Sequence, residues 1–235
     1  MNIKITGIVD NYSESSKFRS DWGFSTLIKT DYHNILFDAG SDPEVFEHNI
    51  NLIDPDLKKI DILFISHSHK DHIGAIKYVL KNYRVGNIVI PEEQNEEIEN
   101  KLREIKVRPI IINKPTSIDE GIYSTGILGE EREQSLVIPS EKGLILITGC
   151  AHSGIKNISE HVEKTFSDKI YMIIGGLHLY KKYDQVLKED INEINKLQFK
   201  YILPSHCTGD TAKKLLKQKL NDRFMDFGAG VTINL

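Results

Sequence analysis

The sequence is poor in cysteine and contains no long hydrophobic run. Its two cysteines, Cys150 and Cys207, are too few for a disulfide framework, so we expect a reducing compartment. The longest apolar runs, at residues 144–147 and 171–174, have the length of strands and fall far short of the ~20 residues that span a bilayer. The first residues alternate like a strand and lack the charged, apolar and small-residue regions of a signal peptide. These absences predict a cytoplasmic protein without a membrane segment.

The chain also lacks an excess of positive charge. Its 30 Lys and Arg residues are outnumbered by 34 Asp and Glu residues, which gives a formal net charge of −4. A general nucleic-acid-binding protein needs a cationic face, so this class is disfavoured, although a local basic patch could still bind one phosphate. With 40% hydrophobic and 27% charged residues, the composition suits one folded domain, or two closely packed halves, over residues 1–235.

Strand and helix patterns alternate along the chain, which predicts the α/β class. Short β-branched runs predict strands at residues 3–9, 25–29, 34–37, 60–65, 87–90, 134–138, 144–148, 169–174, 199–203 and 231–234. Apolar residues at helical spacing predict helices at residues 42–52, 72–82, 92–105, 155–166, 184–197 and 208–220. A turn at Lys142 and Gly143 predicts a hairpin between two of the strands.

A polar segment at residues 11–23 connects the first two predicted strands and contains Lys17, Arg19 and Trp22. Connections of this length are either disordered or functional. Lys17 and Arg19 are therefore candidate contacts for an anionic group of a substrate, and a solvated loop is the simpler alternative.

Four potential metal ligands follow the predicted strand at residues 60–65: His67, His69, Asp71 and His72. Imidazole and carboxylate groups are suitable ligands for Zn²⁺ and similar divalent ions. His67 and His69 share a face in an extended chain because side chains alternate with period two. Asp71 and His72 follow where the chain bends towards a helix, so they can serve a neighbouring ion. The pattern indicates a metal site rather than a loop with incidental histidines.

The motif His-x-His-x-Asp-His after an apolar strand resembles the signature of the metallo-β-lactamase superfamily, and the resemblance extends over nearly the whole chain. It implies a four-layer αββα sandwich with the metal site at one edge, where loops at strand ends meet. In the first motif of that family, an aspartate at a strand end orients the metal-binding loop without holding metal itself; Asp38 matches it. In the last motif, a histidine after the final central strand binds the second ion; His206 matches it.

The middle of the family pattern departs from the familiar hydrolases. Many members carry a Gly-Asp pair whose carboxylate bridges two metals, whereas Cys150 follows Gly149 here. His152, two residues later, is the best candidate for the third ligand beside His67 and His69. Cys150 could bridge the ions, pack nearby or lie beside the site as an inert thiol, and we assign it the last of these roles.

Three further motifs narrow the resemblance to a subgroup described as dihydropterin ribofuranosylaminobenzene phosphate synthase-like. They are Gly-Cys-Ala-His-Ser-Gly at residues 149–154, Gly-Gly-Leu-His at 175–178 and Ser-His-Cys-Thr-Gly at 205–209. His178 follows two glycines at a strand end, where a side chain can enter a cleft. Its expected role is catalytic, through substrate contact, general acid chemistry or an extra metal contact, and packing alone is the alternative.

The resemblance implies an enzyme that binds two divalent transition-metal ions. Zinc is the expected metal, and manganese and iron are the alternatives. One ion is assigned to His67, His69 and His152, and the other to Asp71, His72 and His206. A metal-activated water is expected to attack an ester, phosphoester or cyclic phosphate in a small anionic substrate, with a pterin-related compound as one candidate and Asp71 as a catalytic residue.

Two other functions stay open. A diiron-type oxidoreductase on the same fold is disfavoured because its loop resembles His-x-Glu-x-Asp, unlike the histidines at 69 and 72. A noncatalytic, metal-stabilised binding protein is disfavoured because structural zinc sites are closed by four ligands, whereas this chain offers at least six candidates.

Overall fold

The computed structural model of the chain describes residues 2–92 and 108–235. Its internal contacts divide the chain into two units. Unit 1 consists of Met1–Asn113 and Gly228–Leu235, and unit 2 consists of Lys114–Phe227. Each unit contains one mixed sheet and helices of its own.

In the described residues of unit 1, seven strands form the sheet. They are β1 (Lys4–Val9), β2 (Ser25–Lys29), β3 (Asn34–Phe37), β4 (Lys59–Phe64), β5 (Arg84–Pro91), β6 (Ile110–Ile112) and β13 (Thr232–Asn234). Their order is β13-β1-β2-β3-β4-β5-β6. Neighbours from β13 to β3 pair antiparallel, whereas β3 to β6 run parallel. The carboxyl ends of β3 and β4 therefore lie at the same edge of the sheet. Asp38 follows β3 there, and residues 66–72, here called the histidine loop, follow β4.

The helices of unit 1 are α1 (Pro43–Ile53), α2 (Lys70–Ile73) and α3 (Ile76–Asn82). Helix α1 begins where the sequence predicts, because the Asp42 side chain accepts hydrogen bonds from the first turn and Pro43 is preorganised there. The single helix predicted at residues 72–82 is wrong: it is interrupted at Gly74, whose N–H donates to Gly40 O at 2.7 Å. A Cβ at Gly74 would lie 1.9 Å from Ser41 O, so this close approach requires glycine.

In unit 2, six strands form the sheet. They are β7 (Thr116–Asp119), β8 (Ile122–Ser124), β9 (Leu136–Ser140), β10 (Gly143–Thr148), β11 (Ile170–Gly176) and β12 (Tyr201–Ser205). Their order is β12-β11-β10-β9-β8-β7. Strands β10, β11 and β12 run parallel, and the predicted hairpin joins β9 to β10. The three loops that follow the parallel strands therefore leave the sheet at one edge.

The helices of unit 2 are α4 (Ile155–Phe166), α5 (Asp184–Lys196) and α6 (Asp210–Leu220). The bounds of α4 are those predicted, since Gly154 at φ 84° and Ser167 at φ 53° end the helical pattern on either side. The predicted start of α6 is two residues early because His206–Thr208 forms a short 3-10 turn. Buried apolar residues of the helices and sheet, including Ile158, Ile173 and Leu216, form the core of this unit.

Strands β6, β7 and β8 escaped prediction because each has only three or four residues, too few to display alternation. The predicted helix at residues 92–105 lies, beyond Glu92, outside the described residues. Among the residues that are described, no helix is long and apolar enough to cross a membrane.

Candidate metal centre

Asp38 organises the histidine loop of unit 1 from the end of β3. Its carboxylate is fully buried and accepts hydrogen bonds from Ser66 N, Ser66 Oγ and His72 Nδ1, all at 2.7 Å. The Asp38 N–H donates to Phe64 O at 2.8 Å, which ties the ends of β3 and β4 together. Asp38 adopts a left-handed φ of 54°, a conformation that aspartate tolerates better than most residues. This contact fixes the ring of His72 and makes Nε2 the ring nitrogen that could bind a metal ion.

His67 and His69 face each other at the start of the same loop. Nδ1 of His67 lies 2.9 Å from Ser66 Oγ, and its Nε2 lies 3.1 Å from Nδ1 of His69. Two nitrogens bound to one tetrahedral Zn²⁺ would be separated by ~3.3 Å. The pair is thus spaced as two ligands of a single ion. The ring of His72 is also close, with its centroid 4.1 Å from that of His67.

Asp71 is held by the segment that enters β2. Trp22 Nε1 donates to Asp71 Oδ2 at 2.9 Å, and Phe24 N donates to Asp71 O at 3.1 Å. Gly23 lies between them, and a Cβ there would lie 2.8 Å from Asp71 O. Both the backbone and the side chain of Asp71 are therefore positioned by residues 22–24.

In unit 2, Glu133 organises the loop after β10. Its carboxylate is 2% exposed and accepts hydrogen bonds from the backbone N–H groups of Cys150, Ala151 and His152 at 2.8–2.9 Å. A fourth hydrogen bond joins Glu133 Oε2 to His152 Nδ1 at 2.8 Å. The carboxylate thus fixes the loop and makes Nε2 the ring nitrogen of His152 that could bind a metal ion.

Glu133 is not among the site residues predicted from the sequence. The available signal was a run of three polar residues, 133–135, immediately before β9, and all three are buried. Buried polar groups need hydrogen-bond partners. The position of Glu133 next to the loop at residues 149–154, however, follows only from strand pairing.

Three other loop residues of unit 2 form a cluster. One ligand atom each from Cys150, His178 and Cys207 lies within 4.8 Å of the others. Both cysteines are free thiols and are buried. Within the described residues, Nδ1 of His178 is shielded from solvent and has no hydrogen-bond partner. The ring of His178 also lies beside that of His152, with centroids 4.5 Å apart.

The pKa values of His152 and Cys207, two of the clustered residues of unit 2, are shifted. Burial lowers the pKa of His152, but the hydrogen bond and negative charge of Glu133 outweigh it, so the net shift is upward. Burial raises the pKa of the Cys207 thiol, but contacts with Cys150 and His178 and the charge of His206 bring it to about 5.

The remaining predicted residues differ in exposure. His206 is fully buried in the 3-10 turn after β12. Lys17 and Arg19 are exposed on the loop between β1 and β2. Neither cation has a salt-bridge partner in the described part of the chain.

The donors present fit transition-metal ions. His72 and His152 each place a buried carboxylate on Nδ1, the arrangement that orients histidine ligands towards metals. His67 and His69 have the spacing of paired ligands. Unit 1 thus supplies three histidines and Asp71 from residues 67–72, the last two of which lie in α2, and unit 2 supplies histidines and thiols from the three segments that follow its parallel strands.

Comparison with known proteins agrees with these features. A model of the metallo-beta-lactamase superfamily matches residues 23–163, which include the motif at 67–72 and the loop at 149–154. A curated protein of Methanocaldococcus jannaschii, 7,8-dihydropterin-6-methyl-4-(beta-D-ribofuranosyl)-aminobenzene-5'-phosphate synthase, is 26% identical over 283 residues, covering 99% of this chain and 96% of that protein. An uncharacterized protein of the same organism is 31% identical over 247 residues, covering 91% and 94%.

A solved structure is similar over the full length. The crystal structure of Tm1679, a metal-dependent hydrolase of the beta-lactamase superfamily, superposes with a TM-score of 0.79 at 27% identity and covers 99% of each chain. This match confirms the fold class that the sequence predicts.

Proposed function

The chain belongs to the metallo-β-lactamase superfamily, and from this premise we propose that it is a metal-dependent hydrolase of small anionic molecules. The proposed cofactor is a pair of divalent transition-metal ions, with zinc favoured over manganese or iron by the imidazole-rich donor set. We assign His67, His69 and His152 to one ion and Asp71, His72 and His206 to the other. This assignment rests on the superfamily resemblance. We also propose that residues 1–235 act as one domain and that the protein is located in the cytoplasm.

The observation that carries the proposal is the pair of buried carboxylate-histidine contacts. Asp38 holds Nδ1 of His72, and Glu133 holds Nδ1 of His152, at 2.7 and 2.8 Å. A buried carboxylate on Nδ1 selects one tautomer, raises the basicity of the ring and fixes its direction. These are the properties of a metal ligand, and they occur in both units on residues taken from the superfamily motifs.

Bound divalent ions lower the pKa of water and stabilise the negative charge that develops on an attacked ester or phosphoester. Side chains of the protein position the reacting groups around these ions. Asp71, positioned by Trp22 and Phe24, orients the attacking water, and His178 donates a proton to the leaving group. Cys150 lies beside the ions without being an essential ligand.

The proposed substrate is an ester, phosphoester or cyclic phosphate. Lys17 and Arg19 favour an anionic group because both cations are exposed and have no salt-bridge partner in the described residues. The similarity to the synthase from Methanocaldococcus jannaschii suggests a substrate related to pterins. At 26% identity, this similarity supports a class of substrate and does not identify a particular compound.

A substrate screen of metal-replete protein tests the proposal. The panel contains p-nitrophenyl phosphate, bis(p-nitrophenyl) phosphate, a 2′,3′-cyclic nucleotide, a lactone and a thioester. We expect hydrolysis of at least one phosphoester that is lost in the chelated protein and in the His67→Ala variant. Hydrolysis of the same compound at an undiminished rate by His67→Ala would overturn the proposal, as would the failure of metal-replete protein to hydrolyse any member of the panel.

A further inference from the structure

Trp22 is the single tryptophan of the chain, and it is exposed beside the proposed catalytic aspartate. Tryptophan side chains are on average highly buried, yet 44% of this residue is accessible. Its indole N–H is nevertheless satisfied, because Nε1 donates to Asp71 Oδ2 at 2.9 Å. One edge of the indole is thus fixed by Asp71, while much of its surface is exposed to solvent.

The backbone around Trp22 leaves little freedom for this arrangement. Phe24 N donates to Asp71 O at 3.1 Å, and Phe24 O accepts from Gly40 N at 3.0 Å. Gly23 lies so close to Ser41 that a Cβ would stand 2.8 Å from both its N and its Oγ. The ring is therefore preorganised, and a ligand that stacks on it need not order it.

The loop that leads to Trp22 is held in place, yet it exposes two cations. Arg19 N donates to Asn49 Oδ1 at 2.9 Å, and Asn49 Nδ2 donates to Arg19 O at 2.7 Å. Lys17 O lies 2.9 Å from His48 Nε2. The backbone is anchored at both positions, whereas the charged ends of Lys17 and Arg19 have no hydrogen-bond or salt-bridge partner among the described residues. An ordered loop that displays cations and a fixed indole has the chemistry of a recognition surface.

We propose that Trp22 is the specificity-determining residue of the site, and that it stacks a planar aromatic or heteroaromatic ring of an anionic phosphoester. Lys17 and Arg19 attract the charged group, and the ring lies against the exposed face of the indole. The identity of the cleaved bond rests on the proposed function, whereas the preference for binding an aromatic ring does not. A flat π-system is favoured over an alkyl group because it matches the indole face in shape and electrostatics.

Binding of two phosphonates to the zinc-loaded full chain tests this assignment. Phenylphosphonate and methylphosphonate carry the same charged group, and their C–P bonds resist hydrolysis. By isothermal titration calorimetry, we expect phenylphosphonate to bind about tenfold more tightly than methylphosphonate, a modest value for stacking on one aromatic side chain. The fluorescence of the single tryptophan should change on addition of phenylphosphonate and stay nearly constant with methylphosphonate.

Variants separate stacking from other roles of the indole. Trp22→Leu should bind the two probes within about twofold of each other, whereas Trp22→Phe should keep most of the preference because it keeps a ring. Tyr32→Leu is the matched control, since Tyr32 is an aromatic residue of the same unit that is 80% exposed. Zinc content is measured before each titration because Trp22 also contacts Asp71.

Equal affinities for the two phosphonates in the wild-type chain, or no detectable binding of phenylphosphonate, would overturn the assignment. A preference that survives in Trp22→Leu would overturn it as well. The two proposals fail separately: ring-selective binding without turnover of any phosphoester refutes the hydrolase, whereas turnover without ring selectivity refutes only the role of Trp22.

Discussion

Replacing Glu133 by glutamine tests the buried carboxylate that contacts the loop after β10. The carboxylate accepts four hydrogen bonds: Oε1 from the N–H groups of Cys150 and Ala151, and Oε2 from N and Nδ1 of His152. Glutamine keeps one acceptor oxygen and places an NH₂ group in the other position. With the NH₂ group in the Oε1 position, the N–H groups of Cys150 and Ala151 both face a donor. With the NH₂ group in the Oε2 position, the His152 N–H faces a donor, whereas Nδ1 of His152 accepts in its other tautomer.

The structure sets the expected size of the effect. A buried donor left without an acceptor costs about 1–3 kcal/mol, so one or two such donors cost about 1–6 kcal/mol. This is a substantial part of the ~5–15 kcal/mol by which a folded domain is stable. We therefore expect Glu133→Gln to lower the free energy of unfolding of the metal-free protein by about 1 kcal/mol or more, and to weaken zinc binding about 10–100-fold.

The pH dependence gives the prediction a second signature. Because the folded-state pKa of His152 is raised above 6.5, the stabilising charge interaction with Glu133 is fully present below about pH 6.5. It is lost as the pH rises through the folded-state pKa. In the metal-free protein, the difference in stability between wild type and Glu133→Gln should therefore be largest at low pH and narrow as the pH increases.

Urea denaturation of the metal-free proteins and chelator competition for zinc measure these effects. Glu130→Gln is the matched control, since it removes the same charge from an exposed position nearby and should change stability by less than about 0.5 kcal/mol. Unchanged stability and unchanged zinc affinity in Glu133→Gln would refute the idea that this carboxylate organises the loop.

Two substitution experiments address the ligands directly. Asp71→Asn should stay folded by circular dichroism but lose about two orders of magnitude or more in turnover, because a neutral amide is a weaker ligand and orients water poorly; wild-type turnover at matched metal occupancy would contradict this. His152→Ala should lose metal as severely as His67→Ala, whereas Cys150→Ser should retain most of its metal, as measured by elemental analysis. An emptied site in Cys150→Ser, or alkylation of Cys150 by iodoacetamide only after chelation, would show that the thiol is a ligand.

Much of the fold could be predicted because its central strands are buried and apolar. Strands β2 and β3 and helix α4 have the predicted bounds, since their patterns end at clear turn or capping residues. The interruption at Gly74 could not be predicted, because it depends on an approach to Ser41 that is distant in sequence. The sequence does not predict strands β7 and β8, because their local pattern is weak and they are stabilised by strand pairing. Strand β7 pairs with β8, and β8 pairs with β9.

The candidate site shows the same division between local pattern and long-range contact. The motif at residues 67–72 is local, so its ligands could be named from the sequence. Glu133 and Trp22 act on residues 17–19 and 49 positions away, respectively, and no local pattern reports such contacts. Asp38 was identified because a family motif records its contact with the loop 28–34 positions later.

The central claim is that bound metal ions are required for hydrolysis. Elemental analysis of the purified chain, paired with rates on the best phosphoester of the panel, tests it most directly. We predict close to two transition-metal ions per chain, loss of activity in proportion to their removal by chelation, and recovery when zinc is restored. Full hydrolytic activity in a preparation shown to be free of metal would contradict the account.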